Sequence, residues 1–214
     1  SSKFVNEPVF KYKKLQFDPY KLNRLFFSQR LERIKDEQIM KFYQEVVYYY
    51  ANMIQCIETI GQNKKFYYNS LRVYGTPTEK DVQNARFILH VADEPDTEDM
   101  EKKYTPEDAK VYFEEFVRQY DFPLNISFSN SIAADAMVSN NTQSLLIKKN
   151  TVFSRNQLLT LANHEIGVHL VTTYNGMLQP LKVFSNGFPK NVETQEGLAV
   201  FSEYMSGALT LKRL

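Results

Sequence analysis

Apolar residues recur at helical spacing through much of the first half of the chain. A first helix is predicted from Asp18-Pro19, an N-cap followed by a proline in the first turn, to about Ile34. A longer helix is predicted from Asp36 to Ile60, where Gly61 would stop it. The stretch from Phe66 to Tyr74 is predicted to be extended or irregular.

Two Thr-Pro pairs mark the starts of further helices. Thr76-Pro77-Thr78-Glu79 is a capping box with proline at the first helical position, so a helix is predicted over about residues 77–91. Thr105-Pro106 opens another helix, which is predicted to end near Tyr120. The acidic stretch from Asp93 to Asp99 between them is predicted to be a solvated loop.

The pattern then changes from helical to alternating. Residues 124–128 alternate between apolar and polar positions, as a half-buried strand does. Two short apolar runs, residues 136–138 and 144–147, flank Asn140-Asn141, a pair that favours a turn. Ser154 then caps a helix that leads into the most informative motif. The predicted fold class is α+β, a mainly helical domain with a small antiparallel sheet before that helix.

Composition limits the kinds of partner that the chain can have. Its 26 basic and 25 acidic residues leave a net charge of +1, so no field attracts nucleic acid or an acidic membrane from a distance. The single cysteine, Cys56, excludes an internal disulfide and a zinc site built of thiolates. No apolar stretch approaches the length of a membrane span, and the protein is predicted to be cytoplasmic. Residues 1–214 are predicted to form a single domain, with a helical N-terminal part (1–75) and a part that contains the motif described next (76–214).

Two of the three histidines in the chain lie within the segment Asn163–His169. Imidazole and carboxylate are the groups that bind zinc when thiolates are absent, and a catalytic zinc site combines three protein ligands with water. The common metallopeptidase motif is His-Glu-x-x-His, in which one helical turn aligns the imidazoles and the Glu is the base. Here one additional residue separates His164 from His169. The alternative is that both histidines bond to backbone carbonyls and bind no metal.

The additional residue has a geometric consequence. Five residues of a regular α-helix rotate by about 500°, which leaves His164 and His169 roughly 140° apart and unable to share one metal. A π-type turn of about 4.4 residues reduces this offset to roughly 50°. Gly167 has no side chain to obstruct such widening. We therefore predict a π-bulge across Glu165 to His169.

A third ligand is expected from Glu196, within the segment Thr194–Ala199 that opens a second apolar helical run. Gly197 would allow close helix approach or leave room for a substrate. Asn175-Gly176 is predicted to end the first helix, so that the second helix can return and pack against it.

These motifs resemble those of a known family, the bacterial QEGLA-motif proteins, which are related to the microtubule-associated tyrosine carboxypeptidases (tubulin detyrosinases) of animals. The segments that carry the resemblance are Phe17–Pro19, Ser70–Gly75, His164–His169, Asn175-Gly176, Gln179–Leu181 and Gln195–Ala199. The resemblance implies a zincin-like zinc metallopeptidase in which His164, His169 and Glu196 bind Zn²⁺ and Glu165 is the catalytic base. Family chains are longer than this one, so the domain is expected to be truncated at Leu214.

Further residues are candidates for orienting a ligand or binding substrate. Glu203 shares a helix face with Glu196 and could orient a metal-binding histidine, or it could have a plain surface or ion-pair role. A carboxypeptidase needs a cation for the terminal carboxylate, and Lys148 and Arg155 are candidates unless they are ordinary surface charges. Asn175 and Gln195, which lie in the family motifs, complete the candidate set.

The predicted function is therefore zinc-dependent hydrolysis of a peptide bond at a peptide or protein C-terminus. Glu165 would act as general base on a zinc-activated water, and C-terminal aromatic residues would be preferred. One alternative is a catalytically silent zinc-binding regulatory domain, although a structural zinc site needs no base. Another is a helical interaction module that binds a protein through an exposed aromatic surface.

Overall fold

The structure is a computed structural model that describes residue 12, residues 14–91, 103–140 and 142–210, and residue 213. The chain forms two compact units, Ser1–Thr78 and Glu79–Leu214. The described residues are mainly helical and include one small sheet, so the predicted α+β class is confirmed. The acidic loop predicted for residues 93–99 lies outside the described residues. The single catalytic domain, with parts 1–75 and 76–214, stays a prediction.

The described part of the first unit contains three helices, α1 (Pro19–Phe27), α2 (Glu37–Glu58) and α3 (Lys64–Tyr74), with a 3-10 turn over Leu31–Arg33. Asp18 caps α1 as predicted, and Asp36, where the second helix was predicted to begin, caps α2; each carboxylate accepts backbone N–H bonds.

The helix α1 ends well before Ile34, where it was predicted to end. Ser28 and Gln29 both donate side-chain hydrogen bonds to the carbonyl oxygen of Leu25, at 2.8 Å and 3.0 Å. Side-chain donors that occupy a helical carbonyl compete with the backbone ladder, so the helix stops here.

The prediction of an extended or irregular segment over Phe66 to Tyr74 is wrong, because α3 covers it. Packing against α2 stabilises this helix. Asn69 donates to Thr59 Oγ1 at 3.1 Å, and Arg72 donates to Gln55 Oε1 at 3.0 Å. The helix is therefore held by tertiary contacts that its aromatic sequence does not reveal.

The second unit begins with α4 (Glu79–Val91) and α5 (Pro106–Phe116). The helix α4 starts two residues later than the predicted position, Pro77. Thr105 and Asp108 form a capping box at the start of α5, and a 3-10 turn over Val117–Gln119 extends it to the predicted end near Tyr120.

The sheet has three strands, β1 (Asn125–Ser129), β2 (Ala136–Ser139) and β3 (Ser144–Lys148), in the order β1-β3-β2. The strands β2 and β3 form the predicted antiparallel hairpin, but β1 and β3 pair in parallel. The prediction of an antiparallel sheet is therefore only half right, and the sheet is mixed. Successive strands reverse direction, so the first and third run the same way, and β3 inserts between the other two.

The helical segments described after the sheet are α6 (Arg155–Leu161), a π-helix (Ala162–Leu170), α7 (Val171–Met177), a short 3-10 helix and α8 (Val192–Met205). Ser154 caps α6 in a capping box, as predicted for a helix start. None of the helices in the described part of the chain has the length and apolar content needed to cross a membrane.

Gly176 does not end the first motif helix as predicted, because α7 continues through it to Met177. A Cβ at this position would collide with the carbonyl of Phe184, in the 3-10 helix Lys182–Asn186. The glycine is needed for this close approach of two backbone segments.

The core of the second unit lies between α5, the sheet, α6 and the π-helix. Its fully buried members are Ala109, Phe113, Ala136, Leu145, Ile147, Phe153, Leu158, Ala162, Ile166 and Leu170. Three of them, Ala162, Ile166 and Leu170, belong to the π-helix, so the metal motif is built directly on this core.

Candidate metal centre

The wide helical turn predicted across Glu165 to His169 is confirmed, since a π-helix covers Ala162–Leu170. The rings of His164 and His169 lie 4.9 Å apart between centroids, at an interplanar angle of 70°. A Cβ at Gly167 would lie 3.4 Å from Tyr120 Oη, a tight contact. The π-helix thus brings together two imidazoles that a regular α-helix would point in different directions.

The carboxylate of Glu196 on α8 completes the group. Glu196 Oε2 lies 3.6 Å from His164 Nε2, and Glu196 Oε1 lies 3.6 Å from His169 Nε2. One ligand atom from each of the three residues lies within 4.8 Å of the others, so the group could hold a metal ion. Zinc with bonds of 2.0–2.1 Å needs neighbouring tetrahedral ligands about 3.3–3.4 Å apart, a value close to these separations. The donor set and its spacing therefore fit a metal ion.

Glu203 lies about two helical turns beyond Glu196 on α8 and is fully buried, with 0% of its side chain exposed. Its Oε1 atom lies 2.6 Å from His164 Nδ1. If Nδ1 carries the proton, it donates to Glu203 and leaves the Nε2 lone pair directed at Glu196 and the candidate metal position. The structure contains the contact with a histidine that the sequence allowed, and it also contains an ion pair of Glu203, with Arg213.

Arg213 is a site residue that sequence reasoning missed. Its Nε donates to Glu203 Oε2 at 3.2 Å and its Nη2 donates to Glu203 Oε1 at 3.1 Å. These bonds supply a counter-charge for a carboxylate that would otherwise be buried without one. The available signal was Glu203 itself, since an acidic residue in the apolar run after Glu196 requires a partner.

The segment that follows α8 brings Arg213 to this position. The carbonyl of Ala208 accepts hydrogen bonds from Asn156 Nδ2 at 3.0 Å and from Thr160 Oγ1 at 3.3 Å, which tie the segment to α6. Arg213 then donates its backbone N–H to the carbonyl of Thr210 at 3.0 Å.

Glu165 lies between the two histidines in sequence and points toward the edge strand β2. Its Oε2 accepts the backbone N–H of Val138 at 3.0 Å, and its Oε1 lies 3.9 Å from His164 Nε2. Burial raises the pKa of Glu165, while the positive charges of His164 and His169 and then the Val138 hydrogen bond lower it, and Glu196 raises it further. The net direction is upward.

The strand β2 can donate to Glu165 because its outer edge is unpaired at Val138. Lys148 on β3 donates its backbone N–H to Asp135, so residue 135 faces β3. Backbone groups alternate in direction along a strand, so Ala136 and Val138 face away from β3, toward the π-helix. One oxygen of Glu165 is therefore fixed by the sheet.

A pocket of ≈ 410 Å³ opens beside Glu165. Its described lining includes Ala133, Ala134, Ala136, Asn156, Thr160 and Arg213. The pocket contains both small apolar side chains and polar groups, which is the mixture that small-ligand sites use.

Among the described contacts, no side-chain hydrogen bond or ion pair joins the remaining predicted site residues to His164, His169 or Glu196. Lys148 donates to the carbonyl of Ala133 at 3.3 Å, and Arg155 is exposed at the start of α6, where its charge lowers the pKa of Tyr112 against a larger rise due to burial. Asn175 is exposed on α7, and Gln195 is half-buried directly before Glu196 on α8. The described lining of the pocket includes none of Lys148, Arg155, Asn175 and Gln195.

Comparison with known proteins identifies the family to which the chain belongs. A search of curated proteins and a search of solved structures found no match to the chain. A family model described as microtubule-associated tyrosine carboxypeptidase (MATCAP) matches residues 1–214, the whole chain. The resemblance drawn from the sequence motifs is thereby confirmed, and the chain belongs to the microtubule-associated tyrosine carboxypeptidase family.

Proposed function

We propose that this protein is a zinc-dependent carboxypeptidase that hydrolyses the last peptide bond of a peptide or protein. His164, His169 and Glu196 hold the metal, and Glu165 is the general base. The observation that carries the proposal is the convergence of these three donors beside the half-buried carboxylate of Glu165, in a chain of a carboxypeptidase family.

Zinc is the metal that best matches the donor chemistry. Two imidazoles and one carboxylate form a known catalytic zinc set, and the only cysteine, Cys56, is buried in the first unit on α2. A bound zinc ion supplies a Lewis acid that polarises a carbonyl group and lowers the pKa of water. The arrangement of sheet, motif helix and a second helix that carries the third ligand supports a zincin-like fold.

Proton transfer and the orientation of the site are the roles of the protein's own side chains and backbone. Glu165 takes the proton of the attacking water at Oε1, the oxygen nearer to His164, and later delivers it to the leaving amine. The Val138 N–H holds the other oxygen and thereby fixes the direction of the carboxylate. Glu203 and Arg213 hold His164 in one orientation and one tautomer.

The pocket beside Glu165 is the proposed position of the C-terminal residue of the substrate. Alanines at positions 133, 134, 136 and 208 line it, and their small side chains leave space for a large residue. A preference for C-terminal aromatic residues follows, because burying an aromatic ring against such a surface is favourable.

The test measures metal content and peptide cleavage together. Wild type reconstituted with zinc should bind one metal ion and release the last residue from peptides ending in Tyr or Phe, and a chelator should stop release. Glu165→Gln should retain zinc and lose most activity, whereas Glu196→Ala should lose zinc. Glu193→Gln and Glu193→Ala are matched controls, because Glu193 is exposed in the first turn of the same helix.

Three outcomes contradict the proposal. Full activity in Glu165→Gln would show that Glu165 is not the general base. Failure of wild type to retain zinc would show that His164, His169 and Glu196 do not form a zinc site. Stable zinc binding without cleavage of any peptide would favour the catalytically silent zinc-binding domain.

A further inference from the structure

The pocket beside Glu165 carries a positive charge at Arg213. Of the described lining residues, Arg213 is the only cation. Two acidic residues line the same pocket, Glu165 and Asp135. The Asp135 carboxylate accepts the hydroxyl of Thr151 at 3.2 Å and lies 4.0 Å from Lys148 Nζ, so its charge is partly balanced. The pocket therefore has a negative base at one point and a cation at another.

The guanidinium of Arg213 is anchored and accessible at the same time. Its Nε and Nη2 donate to the buried Glu203 carboxylate, which fixes the plane of the group. An arginine carries five N–H donors, so this contact engages one edge of the fork. The side chain remains 49% exposed while Glu203 is 0% exposed. A guanidinium held in this way can donate its other N–H groups to a second carboxylate.

Arg213 also lies close enough to the metal site to interact with its charges. The pKa of Arg213 is raised first by the hydrogen bond to Glu203, against desolvation, and then by the negative charges of Glu203, Glu165 and Glu196. The last two carboxylates belong to the base and the metal group. Pocket lining and charge interaction place Arg213 on the same side of the site as the catalytic base.

We propose that Arg213 receives the C-terminal carboxylate of the peptide substrate in the pocket beside Glu165. This inference rests on the proposed carboxypeptidase function. One residue of an extended chain spans roughly 3.3–3.6 Å, so the terminal carboxylate lies one short step from the carbonyl that is attacked. The pocket that contains both Glu165 and Arg213 accommodates that step.

The cations predicted from the sequence are less suitable for this role. The Lys148 ammonium donates to the carbonyl of Ala133 and lies beside Asp135, and the Arg155 charge acts on Tyr112 at the start of α6. A fork-shaped cation at position 213 also binds a carboxylate in two-point fashion, which a lysine does not.

The first experiment compares two substrates that differ only at the carboxylate. Peptides ending in Tyr are assayed as the free acid and as the C-terminal amide. Wild type should prefer the acid in kcat/KM by about 10- to 100-fold, the range expected for a hydrogen bond to a charged group. Arg213→Gln should reduce the preference to near one, mainly by raising KM for the acid. Arg213→Lys, which keeps the charge beside Glu203, should retain an intermediate preference.

The matched controls test whether the effect is specific to Arg213 or follows from the loss of any positive charge. Arg118→Gln removes an arginine that is also paired with a glutamate, Glu115, on the exposed end of α5. Lys148→Gln removes a cation that the sequence suggested for the same role. Both variants should keep the acid preference of wild type. A loss of the preference in Lys148→Gln, with the preference intact in Arg213→Gln, would overturn the proposal.

A purely structural role for Arg213 predicts a different result. If Arg213 acted only through Glu203 and His164, its substitution would lower zinc content and would slow acid and amide peptides by the same factor. An unchanged acid-to-amide ratio in both Arg213 variants would therefore overturn the proposal and leave the carboxypeptidase function intact. Absence of cleavage of either peptide by wild type would count against the proposed function itself.

Binding supplies a readout that does not depend on turnover. N-acetyl-L-tyrosine and N-acetyl-L-tyrosinamide are titrated calorimetrically into wild type and into Arg213→Lys and Arg213→Gln. The acid should bind wild type about 10-fold or more tightly than the amide, and this difference should disappear in Arg213→Gln. Equal binding of the two ligands to wild type would overturn the proposal, even if one variant failed to fold.

Discussion

The contact between Glu203 and Arg213 allows a quantitative test of the site's internal structure. Glu203 is fully buried, and within the described residues its carboxylate has three polar contacts, at 2.6 Å to His164 and at 3.2 Å and 3.1 Å to Arg213. Two substitutions perturb this arrangement, one at each partner of the ion pair. Arg213→Met keeps the aliphatic stem and removes the charge, whereas Glu203→Gln keeps the shape and removes the negative charge.

The two variants should differ in stability. Removing one partner of a buried ion pair costs about 3–5 kcal/mol, because the other charge stays buried without a partner. Arg213 is 49% exposed, so water already screens part of the pair, and we expect Arg213→Met to cost about 2–3 kcal/mol. In Glu203→Gln the freed guanidinium can turn to water, and we expect a smaller cost of about 1–2 kcal/mol.

The double variant isolates the interaction itself. Without the negative charge at position 203, loss of the guanidinium leaves no buried charge unpaired, so the double variant should be more stable than the sum of the single effects predicts, by about 1–2 kcal/mol. The measurement is urea unfolding of chelator-treated protein, followed by circular dichroism, so that changes in metal affinity do not contribute. The exposed pair Glu115 and Arg118 gives a matched cycle that should reveal no measurable coupling.

Additive effects at Glu203 and Arg213 would refute this reasoning. Agreement of the double variant with the sum of the singles within about 0.3–0.5 kcal/mol is the expectation for independent sites. The two side chains would then not share a desolvated interaction, and the assignment of Arg213 as the counter-charge of Glu203 would have to be abandoned.

Two further predictions concern the glycines and the metal. Gly176→Ala should destabilise the protein by about 1–3 kcal/mol in urea unfolding, because the new methyl group meets the backbone of Phe184. Gly197→Ala is its control, since among the described residues nothing outside its chain neighbours and its own helix backbone lies within 4 Å of a Cβ there, and it should stabilise α8 by about 0.5–1 kcal/mol. Equal effects of the two substitutions would contradict this account. Zinc at 100 times its Kd should stabilise wild type by about 2.7 kcal/mol, read as a rise in Tm, and should leave Glu196→Ala unchanged. A similar Tm rise in that variant would exclude Glu196 as a ligand.

The sequence predicted those features that depend on local chemistry. Asp18, Asp36, Thr105 and Ser154 cap helices because their side chains accept N–H bonds from the next turn, and this depends on a few neighbouring residues. The π-type turn was predictable for a related reason. Two ligands at a spacing of five residues leave few helical geometries that bring them to one metal.

Features that depend on distant contacts were not predictable. The helix α3 is stabilised by hydrogen bonds to α2 from Asn69 and Arg72, and nothing in its own sequence specifies those partners. The parallel pairing of β1 with β3 depends on which strand lies in the centre of the sheet, a choice made by packing. Arg213 belongs to neither metal motif, so only the fold brings it to Glu203.

The π-helix joins the stability of the fold to the geometry of the site. Such a turn is rarer than an α-turn, and it persists only where the surrounding structure holds it. Here Ala162, Ile166 and Leu170 are fully buried in the core, and the same segment carries His164 and Glu165 against α8 and β2. Packing on one side of the segment therefore keeps the turn wide on the other, where the imidazoles must converge. The core beneath this segment thereby positions His164 and His169, two of the three side chains that could hold a metal ion.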